Sequence, residues 1–272
     1  MCIKINIRLN LANKRSRIMK IVVFDSGFGS LSIIREIQKR VKSHIIYFAD
    51  QKNFPYGKKS KKQLSEIINH TLEIISKRFN PDLIILASNT PSLLLRGKLP
   101  KEVISVLPPL EKISADKKSH NIAILATESV VRSSHIDNYI KETMKIKQSK
   151  VIKINSSRLV NLVESGKFID NPEYCSIIIK KVLKKKFQEH KIDVATLSST
   201  HLPFLFPILK NMFPNVKFLD PAVMVAKKIS RRTAKRKNTV NKLQIFTTGN
   251  AKKFQSKLKK IGIRNKVTSF SC

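Results

Sequence analysis

The chain has 272 residues, enough to bury one large core or two smaller ones. Lys and Arg number 54 against 18 Asp and Glu, a formal net charge of +36, but they are scattered through every segment and only 7% of residues are aromatic. This pattern indicates a lysine-rich composition rather than a surface built to stack bases. No apolar run approaches the ~20 residues that span a bilayer, so we expect no transmembrane helix and no membrane partner.

Cysteine usage is sparse, with Cys2, Cys175 and Cys272 alone. An odd count without metal-ligand spacing predicts no disulfide framework, no metal and a reducing, cytoplasmic setting. Residues 1–18 contain no acid and five basic residues. We expect them to be disordered or an upstream-extended start, with a transit peptide as the alternative, and we expect the folded part to begin at Met19.

The first half of the chain alternates strands and helices. The strands are predicted over 20–24, 45–48 and 83–87, the helices over 31–40 and from a cap at Ser60. Small or polar residues follow each strand: Asp25-Ser26-Gly27 after the first, Asp50 and then Pro55-Tyr56-Gly57 after the second, and Ser88 after the third.

The same alternation resumes after Pro108-Pro109. We predict strands over 122–125, 151–154, 193–197, 216–219 and 243–247, the last of the chain. We predict helices over 132–146, 158–165 and 173–187, from Pro221, and over 251–261, the last of the chain. Such alternation is typical of an α/β fold with mostly parallel sheets flanked by helices.

Two segments are near-copies of each other, 81–91 and 192–203. Aligned on Asp82 and Asp193, both run through apolar or β-branched positions to a serine, Ser88 or Ser199. The repeat predicts two pseudo-symmetric lobes with a cleft between them, one from 19–107 plus 222–272 and the other from 108–221. Sites in such sheets lie at the carboxyl ends of strands, where these serines fall.

Several short motifs together resemble glutamate racemases, of the cofactor-independent aspartate/glutamate racemase superfamily, from Met19 to about Gly262. In chain order they are Asp25-Ser26-Gly27-x-Gly29, Pro55-Tyr56-Gly57-x-Lys59-Ser60 after Asp50, Ser88-Asn89-Thr90, Ala126-Thr127, Val163-Glu164 and Ser199-Thr200-His201-x-Pro203. Each motif alone is weak, and their combination at these separations is specific.

The resemblance implies a small acidic amino acid, glutamate or similar, held between the lobes without a cofactor. It implies that one cysteine on each lobe moves the α-proton, supplying D-glutamate as a cell-wall precursor. Carried over, the catalytic positions are Ser88, Ser199, Asp25, His201 and Glu164. The substrate-binding positions are Ser26, Pro55, Tyr56, Gly57, Asn89, Thr90, Thr127 and Thr200.

Both thiols of the family pattern are hydroxyls here, since Ser88 and Ser199 stand where the resemblance implies cysteine. A cysteine has a pKa of about 8.5 and is readily made a thiolate, whereas a serine hydroxyl is a far weaker acid. We therefore expect racemase activity that is reduced or lost. Cys175 is predicted within a helix away from the strand ends and offers no substitute.

Two other functions stay open: a non-catalytic protein that binds or senses acidic amino acids, and a nucleic-acid-associated protein. The second would use the densest basic cluster, Lys227 to Lys237. The sequence leaves the oligomeric state open, with a homodimer among the alternatives. A serine hydrolase is disfavoured because no Gly-x-Ser-x-Gly motif occurs, and a dinucleotide site because Gly27-x-Gly29 lacks a third glycine.

Overall fold

The computed structural model describes residues 18–116, 118–144, 149–234 and 240–271. Residues 1–17, most of the predicted irregular start, lie outside this part. So do residues 145–146 of the predicted helix 132–146, and Lys235, Arg236 and Lys237 of the basic cluster.

The described residues form two parallel β-sheets flanked by helices, as the alternation of elements predicts. The strands are β1 (Lys20–Asp25), β2 (His44–Ala49), β3 (Leu83–Leu86), β4 (Val103–Ser105), β5 (Asn121–Ala126), β6 (Lys150–Asn155), β7 (Val194–Leu197), β8 (Lys217–Leu219), β9 (Lys242–Thr247) and β10 (Val267–Ser269).

The helices cover both sheets. They are α1 (Ser30–Gln38), α2 (Lys61–Phe79), α3 (Asn89–Leu94), α4 (Leu110–Ser114), α5 (Glu128–Val131), α6 (Ser134–Thr143), α7 (Ser157–Glu164), α8 (Lys167–Asp170), α9 (Pro172–Glu189), α10 (Phe206–Met212), α11 (Pro221–Thr233) and α12 (Ala251–Lys260). Short 3₁₀ helices span Gln51–Asn53, Tyr56–Lys58 and Leu202–Leu205.

The two sheets share one strand order. The first runs β10-β9-β2-β1-β3-β4 and the second β6-β5-β7-β8, so β2-β1-β3-β4 corresponds to β6-β5-β7-β8. The repeated aspartates make the same contact in both sheets. Asp82 accepts a hydrogen bond from the Lys20 backbone N–H (2.8 Å), and Asp193 accepts one from the Asn121 backbone N–H (2.9 Å). The internal repeat thus fixes the start of the central strand in each sheet. The lobe boundaries at 107/108 and 221/222 remain a prediction.

Apolar, mostly β-branched runs make the central strands buried on both faces. Ile21, Val22, Val23 and Phe24 of β1 are fully buried. Helix α2 begins as predicted at Ser60, whose hydroxyl accepts the Gln63 N–H while the Gln63 side chain accepts the Ser60 N–H. These local signals determine where each strand ends, and the candidate site lies at those strand ends.

Two predictions of secondary structure differ from the structure. The helix predicted over 132–146 is α6, which begins only at Ser134 because Ser133 adopts an extended backbone (φ −85°, ψ 141°) and its hydroxyl donates to the Val130 carbonyl. Strand 243–247 is not the last of the chain, since β10 follows it. Three residues at a sheet edge leave no periodic signal, which explains why β10 and β4 were missed.

The described part of the basic cluster lies on α11, where Lys227, Lys228, Arg231 and Arg232 are exposed. A nucleic-acid interface there remains a prediction. Among the residues that the structure describes, every helix is too short or too polar to traverse a membrane.

Candidate active site

The carboxyl ends of the central strands of both sheets meet at one small cavity. Asp25 ends β1, Ser88 follows β3, Thr127 follows β5 and Ser199 follows β7. The predicted site residues that line the cavity are Asp25, Ser26, Pro55, Tyr56, Gly57, Ser88, Asn89, Thr90, Thr127, Ser199, Thr200 and His201. Of the predicted site residues only Glu164 lies outside the lining, directly behind His201. The structure therefore brings the set together, while the role of each member remains a prediction.

The cavity measures about 60 Å³ and its polar lining is buried, with Asp25 only 2% and Ser199 5% exposed. Small-molecule sites usually enclose about 300–1,000 Å³. The lobes are therefore closed on one another. A larger groove of about 460 Å³ lies beside α1 and α11, but its lining holds neither Ser88 nor Ser199.

Asp25 is the carboxyl group on the first lobe's side of the cavity. Its Oδ1 accepts the backbone N–H of Ser26 at 2.7 Å, whereas Oδ2 forms no well-aligned hydrogen bond with the described residues. Burial raises the pKa of Asp25 to about 6, against opposing contributions from the charge of His201, the Ser26 N–H and the Ser88 hydroxyl. A carboxyl with this pKa can hold or release a proton close to neutrality.

Ser199 stands at one end of a chain of polar contacts on the second lobe. Its Oγ lies 3.4 Å from Nδ1 of His201, and Nε2 of His201 lies 2.6 Å from Oε1 of Glu164. The same Oε1 accepts the backbone N–H of Phe28 at 2.8 Å, across the interface between the lobes. Glu164, which the sequence alone could equally place in solvent, is thus a buried partner of His201.

His201 and Glu164 shift each other's ionisation. Burial would lower the pKa of His201, but the hydrogen bond and charge of Glu164 outweigh it and raise that pKa above its ordinary value. Burial would raise the pKa of Glu164, but the hydrogen bond and charge of His201 outweigh it and lower that pKa. The pair therefore stabilises an imidazolium next to a carboxylate.

The turn after β1 needs glycine because the second lobe presses against it. A Cβ at Gly27 would lie 2.2 Å from Oε1 of Glu164, and one at Gly29 would lie 2.0 Å from Oγ1 of Thr200. Ser32 of α1 adds a hydrogen bond to the Thr200 carbonyl at 2.8 Å. The Asp25-Ser26-Gly27-x-Gly29 motif is therefore also a contact surface between the lobes.

The Pro55-Tyr56-Gly57 segment is held over the cavity by Asp50. The Tyr56 hydroxyl donates to Oδ2 of Asp50 at 2.8 Å, and the Tyr56 N–H donates to the Ser26 hydroxyl at 3.3 Å. Thr248 donates to Oδ1 of the same aspartate at 3.1 Å. Asp50 thus positions the segment without lining the cavity itself.

Asn89 brings an unused hydrogen-bonding group to the cavity. Its side chain is buried, and neither its amide nitrogen nor its amide oxygen has a partner among the described residues. Buried polar groups are nearly always paired, so an unpaired amide facing a cavity indicates a ligand. Beside it the Thr90 and Thr127 hydroxyls bridge the lobes at 3.1 Å.

Sequence inspection missed Phe54, Val160 and Ser198, which also line the cavity. Phe54 and Ser198 directly precede motif residues, and this adjacency was the available signal. Val160 lies on a helix face with no polar marker, and the sequence offers no signal for it.

Known proteins with a similar sequence or structure include glutamate racemases. No family model matches the chain. The glutamate racemase of Vibrio vulnificus (strain YJ016) is 31% identical over 193 residues, which cover 68% of this chain and 70% of that protein. A glutamate racemase structure from Bacillus anthracis superposes with a TM-score of 0.81 at 24% identity, covering 93% and 97% of the two chains. The Escherichia coli enzyme, solved with L-glutamate and the activator UDP-MurNAc-ala, gives 0.78 at 22%, covering 94% and 99%.

Fold and site together define a two-lobed α/β protein with a polar site between the carboxyl ends of its two sheets. The sequence similarity to the Vibrio glutamate racemase covers more than two thirds of both chains. The chain belongs to the glutamate racemase family.

Proposed function

We propose that the chain binds glutamate in the cavity between its lobes and exchanges its α-proton only slowly. The proposal is carried by the Asn89 amide, which is buried, has no hydrogen-bond partner among the described residues and shares one cavity with Asp25, Ser88 and Ser199. The Francisella tularensis glutamate racemase, a structural relative at 20% identity, was solved in complex with D-glutamate. This supports an amino acid as the ligand.

The slow step follows from the acidity of the groups. Ser88 and Ser199 present hydroxyls from opposite lobes, and a hydroxyl needs an adjacent base before it can take a proton from carbon. His201 lies beside Ser199 and Asp25 beside Ser88, so each hydroxyl has a titratable neighbour. Each 1.4 kcal/mol of barrier that a thiolate would have removed costs about tenfold in rate.

Glutamate binding is tested by isothermal titration calorimetry of the full chain. We expect saturable heat with wild type. We expect Asn89→Ala to weaken binding by roughly 10- to 100-fold, because a hydrogen bond to a charged group contributes about 1.5–3 kcal/mol. The matched control is Asn138→Ala on the exposed face of α6, which should bind as wild type does. Absence of saturable heat, or equal affinity of the Asn89 variant, would contradict the proposal.

A further inference from the structure

We propose that Ser199, His201 and Glu164 form a nucleophile–base–acid relay that cleaves small carboxylic esters by acyl transfer to Ser199. This activity is distinct from proton exchange and does not require glutamate to bind. The absence of a Gly-x-Ser-x-Gly motif does not oppose it, since such relays are recognised by geometry and roles and occur in several sequence orders.

The hydrogen bonds fix which nitrogen of His201 is the base. Oε1 of Glu164 accepts the Phe28 N–H at 2.8 Å, so it faces His201 as an acceptor as well. Nε2 of His201, 2.6 Å away, must then carry the proton. Above the raised pKa of His201 the imidazole is neutral, and Nδ1 is then the acceptor that faces the Ser199 hydroxyl.

The Ser199 contact is slightly long for proton transfer. Its 3.4 Å exceeds the 2.6–3.2 Å of a formed nucleophile–base bond by a few tenths of an ångström. Ligand-free sites commonly show such lengthening. His201 and Glu164 are almost fully buried, with side chains 10% and 11% exposed. Their burial keeps water from competing for the hydrogen bond that orients the imidazole.

Ser88 provides an internal contrast. It lines the same cavity from the other lobe, but the titratable group beside it is the Asp25 carboxyl and not an imidazole. If the relay matters, Ser199 is a nucleophile and Ser88 is not. Mere access to the cavity would make the two serines react alike.

The cavity also supplies a donor for the oxyanion. The Asn89 amide nitrogen is buried, has no partner among the described residues and lines the cavity with Ser199. Side-chain amides serve this purpose in acyl-transfer enzymes. The volume of about 60 Å³ holds an acyl part of a few non-hydrogen atoms without separation of the lobes.

The reaction balances with water as the only co-reactant. The Ser199 oxygen bonds to the ester carbon while its proton passes to Nδ1 of His201. The bond from that carbon to the alcohol oxygen breaks, and the alcohol leaves with this proton. The water oxygen then bonds to the acyl carbon and gives a proton to His201. The bond from that carbon to the Ser199 oxygen breaks, this oxygen takes the proton from His201, and the carboxylic acid is released.

The test is covalent labelling of the full chain with dimethyl fluorophosphate, followed by peptide mass mapping. The Ser199 oxygen should bond to phosphorus as the phosphorus–fluorine bond breaks, leaving one phosphoryl group on Ser199 and none on Ser88. Glu164→Gln should slow labelling by roughly 100-fold or more, because the uncharged amide no longer stabilises the imidazolium.

Three results would overturn the proposal: no label on Ser199, label on Ser88 to the same extent, or unchanged labelling in Glu164→Gln. Circular dichroism checks that the variant is folded. Should it not fold, the distribution of label between Ser199 and Ser88 in the wild-type chain decides alone. Glutamate calorimetry has a separate readout, so failure of either proposal leaves the other standing.

Discussion

Asp25 shows how a single residue at the site is held at a cost to stability. Burial raises its pKa from 3.8 to about 6, so ionisation is harder in the folded chain than in the unfolded one. Its contribution to stability is therefore full below about pH 3.8 and is lost as the pH rises through 6. Residues under such strain from burial concentrate at functional sites.

Asp25→Asn should accordingly stabilise the protein at pH 8 and leave stability unchanged near pH 4. Raising the pKa from 3.8 to about 6 corresponds to about 3 kcal/mol as an upper figure. Urea unfolding of wild type and variant between pH 4 and 8 measures the difference. The half-exposed Asp137 provides the control, since Asp137→Asn removes a carboxyl group outside the cavity. A variant less stable than wild type at pH 8 would contradict the assignment of Asp25.

Gly29 shows at the scale of elements how the lobes meet. Its backbone is helical (φ −54°, ψ −36°), so an alanine would suit the local conformation at the start of α1. The contact forbids it, because the added Cβ would lie 2.0 Å from Oγ1 of Thr200 and 2.8 Å from Oδ2 of Asp25. Packing between lobes, and not helix propensity, decides this position.

Gly29→Ala should therefore destabilise the protein by about 1–3 kcal/mol, the usual cost of overpacking. The matched control is Gly57→Ala, whose Cβ would meet Thr127 at an ordinary 3.6 Å. We expect that control to change stability by less than about 1 kcal/mol. Urea midpoints give both values. Equal stability of Gly29→Ala and wild type would show that the lobes do not press on the turn.

Elements with strong local signals could be predicted from the sequence. The runs at β1, β3, β5 and β7 are mostly apolar, and the polar residues after them mark the site. Sequence reasoning failed where an element is too short to show a periodic pattern: at α5, which precedes the predicted helix, and at the edge strands β4 and β10. Glu164 is the clearest case at the site, since its partners Phe28 and His201 are 136 and 37 residues away.

At the scale of the whole molecule, two similar sheets create one site. In each sheet a serine follows the third strand of the shared order, β3 in one sheet and β7 in the other. This shared order brings both serines to the same cavity. The cavity of about 60 Å³ is smaller than most small-molecule sites, so we expect the lobes to separate when the proposed ligand enters. The predicted lobe boundaries at 107/108 and 221/222 are where we expect this motion to be centred.

The most direct measurement is deuterium incorporation at Cα of glutamate in heavy water, followed by proton NMR with wild type and the Ser88→Cys/Ser199→Cys variant. If hydroxyls limit the proton chemistry, exchange by wild type is slow and the double variant is at least ~100-fold faster, since ~1.4 kcal/mol at each of two positions already gives that factor. Each single variant supplies a thiol to one face only and should gain less. Wild-type exchange as fast as that of the double variant would contradict the account.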